Sequence, residues 1–313
     1  MILQDFIVRD RGGYYCRYGD FHLDPADPVP HAVISHGHGD HASPGHIAAY
    51  TTAPTIQFME RRFAKMHMPR FTTVQYQEPF RLGEVELTLI PAGHILGSAQ
   101  ILMVHQGVRY LYTGDYKMQE DPTCEPYEPV LADVLITETT FADPAIAHPH
   151  PAEEILKLRD IPTNIMLGAY SLGKAQRLTA LINAHCPEKQ ILVHHGILPI
   201  HRIYEHFGIQ MGPYELYNRK AMKTPGANHL IYLVPPMTFR SYARAKNAVR
   251  VFASGWAHLQ RNNDFSLYIS DHVDWQEILT CIEQVKPREI WTIHGEGRHL
   301  AAHFGDNLPV RII

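Results

Sequence analysis

The chain has few cysteines, and no two of them have the close spacing of a zinc ribbon or a redox motif. The four cysteines are scattered over 313 residues, at positions 16, 124, 186 and 281. A disulfide-rich secreted scaffold and a paired-cysteine metal site are therefore both excluded. We expect reduced, structural thiols in a cytoplasmic protein.

Long apolar runs are also missing. No uninterrupted stretch approaches the length of a membrane span, and Asp5 and Arg9 interrupt any signal-peptide pattern at the N-terminus. The content of 45% hydrophobic and 19% charged residues is typical of a globular protein. A chain of this length can bury a large core, and we expect one main domain with an insert.

A net positive charge is absent as well, since the formal charge at pH 7 is −4. The charge is unevenly distributed, however. Residues 216–263 contain no Asp or Glu but eight basic side chains, Arg219, Lys220, Lys223, Arg240, Arg244, Lys246, Arg250 and Arg261. Local positive potential is what a polyanion requires, and interleaved aromatic residues such as Trp256 could stack on unpaired bases. A solvated basic face with core aromatics is the alternative.

A dense group of metal-binding residue types lies between Ser35 and His41, in the sequence SHGHGDH. It follows the apolar residues 32–34 and precedes small residues, which predicts a buried strand ending in a tight loop. Gly37 and Gly39 remove side chains that would crowd converging ligands. Imidazole nitrogens and carboxylate oxygens are the usual donors for zinc and similar ions. The motif predicts a metal site.

Further polar side chains follow predicted strands along the chain. The strands at 87–90, 108–112, 134–136, 267–269 and 289–293 are followed by His94, Asp115, Glu138, His272 and His294. In an α/β sandwich the carboxyl ends of such strands lie along one edge. These side chains can therefore meet although they span much of the sequence.

Motif by motif, the chain resembles the metallo-β-lactamase superfamily and, within it, the β-CASP nucleases. The resemblance extends from Asp24 to Glu296. It implies an α/β fold in which residues 1–144 and 252–313 form an αββα sandwich. Residues 145–251 would form an inserted, smaller α/β cap domain.

The same resemblance implies two divalent metal ions, for which the imidazole-rich donor set favours zinc and permits manganese. The metal-binding residues that it assigns are His36, His38, Asp40, His41, His94, Asp115 and His294. Asp24 would support the histidine loop from behind the ligands. Asp40, Asp115, Glu138 and His272 would be catalytic, with a metal-activated water attacking phosphorus, His272 as general acid and Glu138 orienting its ring.

Two branches of the group match different parts of the chain. The segments PAGHILGSA (91–99), YTGDY (112–116) and HGE (294–296) resemble RNA-cleaving enzymes of messenger-RNA 3′-end processing. The segments GAYSLGK (168–174) and GWAH (255–258) resemble the DNA crosslink-repair branch that includes Artemis. Bacterial DNA-ligase-associated exonucleases share both sets and have a similar size.

The resemblance therefore favours a DNA exonuclease of end processing and repair, with an ATP-dependent DNA ligase and a helicase as expected partners. His294 points the other way, because DNA-specific relatives tend to have valine there, so a ribonuclease remains an alternative. A hydrolase of small esters, thioesters or lactams is a third.

Substrate contacts are expected from the cap and its return to the main domain. Ser171 and Lys174 lie at the start of a predicted helix at 174–184, where amide groups and the helix dipole favour a phosphate. A simple helix-capping role for Ser171 is equally compatible. The remaining candidates are Trp256, His258, Arg240 and Arg244.

Overall fold

The computed structural model describes residues 1–218, 228–241, 248–261, 263–295 and 297–313. Its contacts divide the chain into two units. The first comprises Met1–Glu120, Cys124–Ala147 and His272–Ile313, and the second comprises Asp121–Thr123 and His148–Asp271. The division resembles the predicted main domain and cap at its first boundary, but the main domain resumes at His272 and not at 252.

Among its described residues, the first unit contains two β-sheets and three helices. The first sheet contains, in this order, β1 (Val8–Asp10), β2 (Gly13–Cys16), β3 (Phe21–Leu23), β4 (His31–Val33), β5 (Ala48–Thr51) and β6 (Arg70–Thr73). The second contains β7 (Phe80–Leu82), β8 (Val85–Pro91), β9 (Ala99–His105), β10 (Val108–Tyr112), β11 (Val134–Glu138), β17 (Glu289–Ile293) and β18 (Val310–Ile312), in the order β18-β17-β11-β10-β9-β8-β7. The helices are α1 (Ala53–Arg62), α6 (Trp275–Val285) and α7 (Arg298–Phe304).

Successive side chains of the strands in the second sheet belong to two different hydrophobic cores. Tyr110 and Tyr112 of β10 point into a core shared with Phe21 and Val33 of the first sheet. Leu111, between them, packs into another core with residues of α6 and α7. Since successive side chains of a strand face opposite sides, this pattern places one sheet face against the other sheet and the second face against helices. With α1 packed on the outer face of the first sheet, the unit is the predicted αββα sandwich.

Several strands of each sheet run in the same direction, so the loops that follow them begin at the same edge of that sheet. In the second sheet, β10, β11 and β17 are parallel neighbours. The strand β8 runs in the same direction as β10, because β8 and β10 are each antiparallel to β9. In the first sheet β3, β4 and β5 are parallel. The segments that follow β3, β4, β8, β10 and β17 carry Asp24 and the predicted metal-binding residues, and Glu138 is the last residue of β11.

In the part of the second unit that the structure describes, five parallel strands form one sheet. Its strands are β12 (Asn164–Gly168), β13 (Gln190–Val193), β14 (Glu215–Leu216), β15 (Leu230–Val234) and β16 (Ala248–Phe252), in the order β14-β13-β15-β12-β16. Its helices are α2 (Pro151–Leu156), α3 (Lys174–His185), α4 (Leu198–His206), α5 (Pro236–Ser241) and a 3₁₀ turn at Ala257–Gln260. The central strands β12 and β15 are buried along their whole length, as expected for a parallel sheet covered on both faces.

One predicted strand is wrong. Residues 267–269 form no extended strand and share only a single bridge, between Leu267 and Ala253. Leu267 and Ile269 are nevertheless buried in the core of the second unit, which explains both the apolar pattern and the assignment of this segment to the second unit. An apolar run of three residues fits a buried loop as well as it fits a strand.

All four cysteines are buried and form no disulfide. Within the described parts of the chain, every helix is too short or too polar to cross a membrane.

Gly93 lies one residue before His94, and its replacement tests how tightly the turn after β8 is packed. Gly93 and Gly107 both have left-handed backbone angles, with φ of +72° and +77°. A Cβ at residue 93 would collide with the Lys117 carbonyl oxygen, whereas a Cβ at residue 107 would meet nothing within 4 Å. We expect Gly107→Ala to lower the free energy of unfolding by about 1–2 kcal/mol, the left-handed penalty alone.

For Gly93→Ala we expect a loss larger by roughly 1–3 kcal/mol, because overpacking adds to the same penalty. Urea unfolding of the two variants measures both values. Equal losses would mean that the turn before His94 relaxes without cost.

Candidate metal centre

Four side chains from three loops of the first unit converge on one point. They are His36 and His38 after β4, His94 after β8 and Asp115 after β10, and their ligand atoms lie within 4.8 Å of one another. His38 Nδ1 lies 3.1 Å from His36 Nε2 and 3.0 Å from His94 Nε2. Asp115 Oδ2 lies 3.5 Å from His36 Nε2 and 3.8 Å from His94 Nε2. Ligands around one tetrahedral zinc, with bonds of 2.0–2.1 Å, are separated by about 3.3–3.4 Å, so this donor set fits a metal ion.

The protonation states of these groups suit a cation. Burial lowers the pKa of His36 well below its ordinary value, and the nearby His41 adds to this effect. Burial by itself raises the pKa of Asp115, but His41 and His272 opposite it hold that pKa well below the usual range. Neutral imidazole and ionised carboxylate are the forms that bind metal.

His41 joins this centre from the side of Asp24. Its Nε2 lies 3.4 Å from Asp115 Oδ2, and its Nδ1 lies 2.9 Å from Asp24 Oδ2. Burial lowers the pKa of His41, but the Asp115 and Asp24 carboxylates outweigh burial and raise it well above the ordinary value. The position of Nε2 therefore favours positive charge, which a metal ion would supply in place of the proton.

Asp24 holds the histidine loop through several hydrogen bonds. Its carboxylate accepts from the Ser35 amide at 2.6 Å, the Ser35 hydroxyl at 2.5 Å, the Tyr112 hydroxyl at 2.8 Å and His41 Nδ1 at 2.9 Å. Tyr112 is fully buried and was not among the predicted site residues. Its only signal in the sequence was its place in the strand that ends before Asp115.

The turn that carries His94 is fixed by two side chains that were not among the predicted site residues. The buried Lys117 ammonium donates to the His94 carbonyl oxygen at 3.1 Å. The Ser98 hydroxyl accepts from the amides of His94 and Ile95 at 3.1 and 3.2 Å. Lys117 lies two residues after Asp115, and that proximity in sequence was the available signal.

Asp40 and His294 lie at the outer side of the centre. The Asp40 side chain is 81% exposed, and its Oδ2 is 4.0 Å from His41 Nε2. His294 is exposed, has a left-handed backbone with φ of 47°, and places its ring 5.2 Å from that of His41. Neither belongs to the compact ligand groups found among the described residues, so a second site at His41 would be more open than the first.

His272 is held by Glu138 at the other side of Asp115. Its Nδ1 lies 2.9 and 3.0 Å from the two carboxylate oxygens of Glu138 and 4.0 Å from Asp115 Oδ2. Glu138 is fully buried and also accepts from the Tyr116 amide at 3.1 Å and the Thr140 hydroxyl at 2.6 Å. These contacts fix the carboxylate, and the carboxylate fixes the imidazole.

The predicted substrate contacts belong to the second unit. Trp256 and His258 are exposed, with ring centroids 5.6 Å apart, and Arg240 is exposed in the last turn of α5. Ser171 is half-buried and precedes the helix, whose first residue is Lys174. Arg244 lies outside the described residues, as does much of the basic stretch.

Lys174 is not placed as the phosphate role requires. Only 3% of it is exposed, and its ammonium lies 3.1 Å from Asp271 Oδ2. The tertiary structure thus directs this side chain into the interior, although its position at the start of a helix suggested an anion site.

Comparisons with known proteins agree with this architecture. Residues 17–168 match the model of the beta-lactamase superfamily domain, and residues 265–304 match the Zn-dependent metallo-hydrolase RNA specificity domain. A solved structure of a protein of unknown function from Enterococcus faecalis superposes with a TM-score of 0.57 at 15% identity. The superposition covers 90% of this chain and 79% of the Enterococcus faecalis chain. The two proteins therefore share a fold.

Three curated relatives have similar sequences. "Probable DNA ligase" of Opitutus terrae is 29% identical over 320 residues, covering 97% of this chain and 30% of the relative. Endoribonuclease ysh1 of Aspergillus fumigatus is 29% identical over 127 residues, covering 38% and 14%. Cleavage and polyadenylation specificity factor 73 of Drosophila melanogaster is 29% identical over 127 residues, covering 37% and 18%.

The chain thus spans less than a third of the length of each of these relatives. The first family match begins just before β3 and ends with β12 of the second unit, and the second match covers the segment that contains His272 and His294. The chain therefore combines a domain of the beta-lactamase superfamily, matched at residues 17–168, with a Zn-dependent metallo-hydrolase RNA specificity domain, matched at residues 265–304.

Proposed function

We propose that this protein is a metal-dependent phosphodiesterase of the β-CASP type that shortens DNA from an end. The observation that carries this proposal is the pairing of two features around Asp115. One is the buried ligand cluster of His36, His38 and His94, and the other is His272, held by Glu138 4.0 Å from Asp115. Breaking a phosphodiester requires both charge stabilisation at phosphate and a proton for the departing sugar oxygen.

The residues divide into holders of metal and movers of a proton. His36, His38, His94 and Asp115 would hold one ion, and Asp40, His41, His294 and Asp115 a second. When bound, two such ions supply Lewis acidity at the phosphate oxygens and lower the pKa of a water molecule. Asp24, through its bond to His41 Nδ1, keeps the ligating face of that ring toward Asp115.

His272 supplies the proton in this scheme. As the bond from phosphorus to the sugar oxygen breaks, its electron pair stays on that oxygen, and His272 Nε2 transfers a proton to it. Glu138 at Nδ1 stabilises the charged imidazole before transfer and holds the ring in place afterwards. Water from the solvent provides the new oxygen on phosphorus, and the proton that this water loses returns to the solvent.

The choice of DNA rests on the extent of the sequence alignments. A protein named as a DNA ligase aligns with 97% of this chain, whereas the named endoribonuclease aligns with 38% of it. Similarity to part of a protein that is named as a DNA ligase suits the trimming of ends before they are joined. RNA is the second candidate, because residues 265–304 match a domain named for RNA specificity and because His294 lies within it.

Asp115→Ala should lose metal and activity together, because Asp115 faces every imidazole of the cluster. We expect bound zinc or manganese, measured by mass spectrometry after dialysis, to fall by at least one equivalent, with cleavage below detection. A variant that kept its full metal content would show that Asp115 is not a ligand. Asp264→Ala, an exposed carboxylate of the second unit, is the control.

His272→Gln should behave in the opposite way. It removes the proton donor but no assigned ligand, so we expect unchanged metal content and a decrease in kcat of about 10²–10⁴-fold. His272 also lies close to the carboxylate of Asp115, so it could be a metal ligand instead of a general acid. The metal content of the variant distinguishes these two roles. Loss of one metal equivalent would make His272 a ligand.

The substrate class can be tested with end-labelled DNA and RNA of one sequence. Each is offered single- and double-stranded, with and without a 5′-phosphate, in zinc and in manganese, to the wild type and to Asp115→Ala. We expect stepwise shortening of DNA that is absent in the variant. Preferential cutting of RNA, through dependence on the 2′-hydroxyl, would establish the second candidate, and intact substrates would contradict both.

A further inference from the structure

Two side chains of the hairpin formed by β1 and β2 lie beside the metal centre and are not used by the proposed chemistry. The sheet register places Arg9 of β1 opposite Tyr14 of β2, and Tyr14 opposite Leu23 of β3. Residues directly opposite one another in a sheet point to the same face. Leu23 is fully buried, Tyr14 is half-buried and Arg9 is exposed. The row therefore leads from the core, next to Asp24, to the solvent.

Tyr14 is a neighbour of the outer ligands of the metal centre. Its ring centroid lies 6.4 Å from that of His294, with the two planes at 80°. The ring of His294 in turn lies 5.2 Å from that of His41. The guanidinium carbon of Arg9 is 5.9 Å from the centre of the Tyr14 ring. The contacts thus run from His41 through His294 and Tyr14 to Arg9, on the more open side of the centre.

The polar groups of Arg9 and Tyr14 are not used within the protein. Among the residues that the structure describes, the Tyr14 hydroxyl has no hydrogen-bond partner and the Arg9 guanidinium has no carboxylate partner. The separation of Arg9 from the Tyr14 ring is close to the outer limit of about 6 Å for a cation–π contact. That contact therefore leaves the guanidinium available to an anion.

The opposite face of the same hairpin is paired internally. The Asp10 carboxylate lies 3.0 Å from His22 Nε2, and the Tyr15 hydroxyl donates to Asp20 at 2.9 Å. Asp10 follows Arg9 in the sequence, but successive residues of a strand face opposite sides. The positive charge of Arg9 is therefore not paired with the carboxylate next to it in the chain.

The Tyr14 hydroxyl is a hydrogen-bond donor at neutral pH. Burial raises the pKa of this phenol, and the positive charges of Arg9 and His41 act in the opposite direction without outweighing burial. A guanidinium is charged at every physiological pH and presents five N–H donors. The two side chains together match an oxyanion that has several acceptor atoms.

We propose that Arg9 and Tyr14 form a phosphate-binding subsite, which takes a backbone phosphate of the substrate next to the phosphate that is cleaved. The guanidinium fork fits the oxygens of a phosphate, and tyrosine hydroxyls are among the groups that donate to phosphates of nucleic acids. The position beside His294, outside the ligand cluster, suits a neighbouring phosphate instead of the one at the metal ions. The inference rests on the proposed function, in which this centre cleaves a polynucleotide. Because phosphate contacts carry no sequence information, such a subsite serves ends of any sequence.

The test compares two substrates that differ in their number of phosphates. Bis(4-nitrophenyl) phosphate has only the phosphate that is cleaved, whereas a single-stranded oligonucleotide, of DNA or RNA as the wild type prefers, also has its neighbours. For Arg9→Gln we expect kcat/KM on the oligonucleotide to fall about 10-fold, mainly through KM, as for one hydrogen bond between charged groups. Metal content and kcat/KM on bis(4-nitrophenyl) phosphate should stay within about twofold of the wild type, an allowance below the effect of that hydrogen bond.

The dependence on salt separates the charge of Arg9 from the hydrogen bond of Tyr14. For Arg9→Gln, the slope of log(kcat/KM) against the logarithm of the salt concentration should become shallower by about 0.7, the value for one phosphate of a single strand. Tyr14→Phe removes a donor but no charge, so we expect kcat/KM on the oligonucleotide to fall about 3–10-fold at an unchanged slope. Arg9→Lys keeps the charge without the planar fork and should keep the slope of the wild type.

Arg17→Gln and Tyr15→Phe are the matched controls. Arg17 is also exposed, but it follows β2 at its other end and lies 3.0 Å from Asp5. The Tyr15 hydroxyl belongs to the opposite face of the hairpin. We expect both controls to cleave the two substrates as the wild type does, with an unchanged salt slope.

Methylphosphonate substitution identifies the phosphate that is bound. In a series of oligonucleotides, each phosphate near the scissile one is replaced in turn by this neutral group. One position should slow the wild type about as much as Arg9→Gln does, and combining the two changes should cause no further loss. This series decides if the wild type cleaves the oligonucleotide alone.

The outcomes separate the subsite from the proposed function. An unchanged or equal effect of Arg9→Gln on the two substrates would contradict the subsite while leaving the phosphodiesterase intact. Additive losses with every methylphosphonate would do the same. A wild type that cleaves neither substrate would contradict the proposed function and the subsite with it.

Discussion

The carboxylate of Asp115 is the group on which the architecture of the first unit depends. It is nine-tenths buried, and its Oδ2 faces imidazole nitrogens at 3.4, 3.5, 3.8 and 4.0 Å, which belong to His41, His36, His94 and His272. A buried carboxylate is costly unless hydrogen-bond donors, protonated groups or a metal ion compensate its charge. Four histidines must therefore reach it from different parts of the chain, and both sheets are arranged to allow this.

The strand order accomplishes that convergence with a simple rule. Apart from His272, each contributing residue follows a strand, and these strands run the same way within their sheet, so the loops begin at one edge of each sheet. Register matters as much as order, because a slip of one residue would exchange the two faces of a strand. In β10 such a slip would move Tyr112 off Asp24 and into the helical layer, and the hydrogen bond that anchors the histidine loop would be lost.

This rule explains which parts of the molecule the sequence predicts well. The bounds of β10 and β17 follow from alternation and polar ends, and the predicted residues 108–112 and 289–293 match them fully. Residues 267–269 have a similar pattern but are held by Gln260, Glu154 and α3 instead of by a neighbouring strand. The contribution of distant side chains leaves no local periodicity, and for that reason both this segment and the boundary of the second unit were misplaced. Lys174 shows the same limit of local sequence patterns. A lysine at the start of a helix predicts an anion site only if its ammonium does not pair with a carboxylate in the interior.

Two carboxylate–imidazole pairs near Asp115 share one geometry yet suit different tasks. Asp24 meets Nδ1 of His41, and Glu138 meets Nδ1 of His272, both at 2.9 Å. The His41 side chain is 3% exposed and lies closer to Asp115, whereas that of His272 is 26% exposed. A ring enclosed between two carboxylates keeps whatever positive charge occupies its Nε2, which suits a ligand. A ring that remains open to solvent can exchange its proton with water, which suits an acid, and this difference in surroundings supports the different roles proposed for the two pairs.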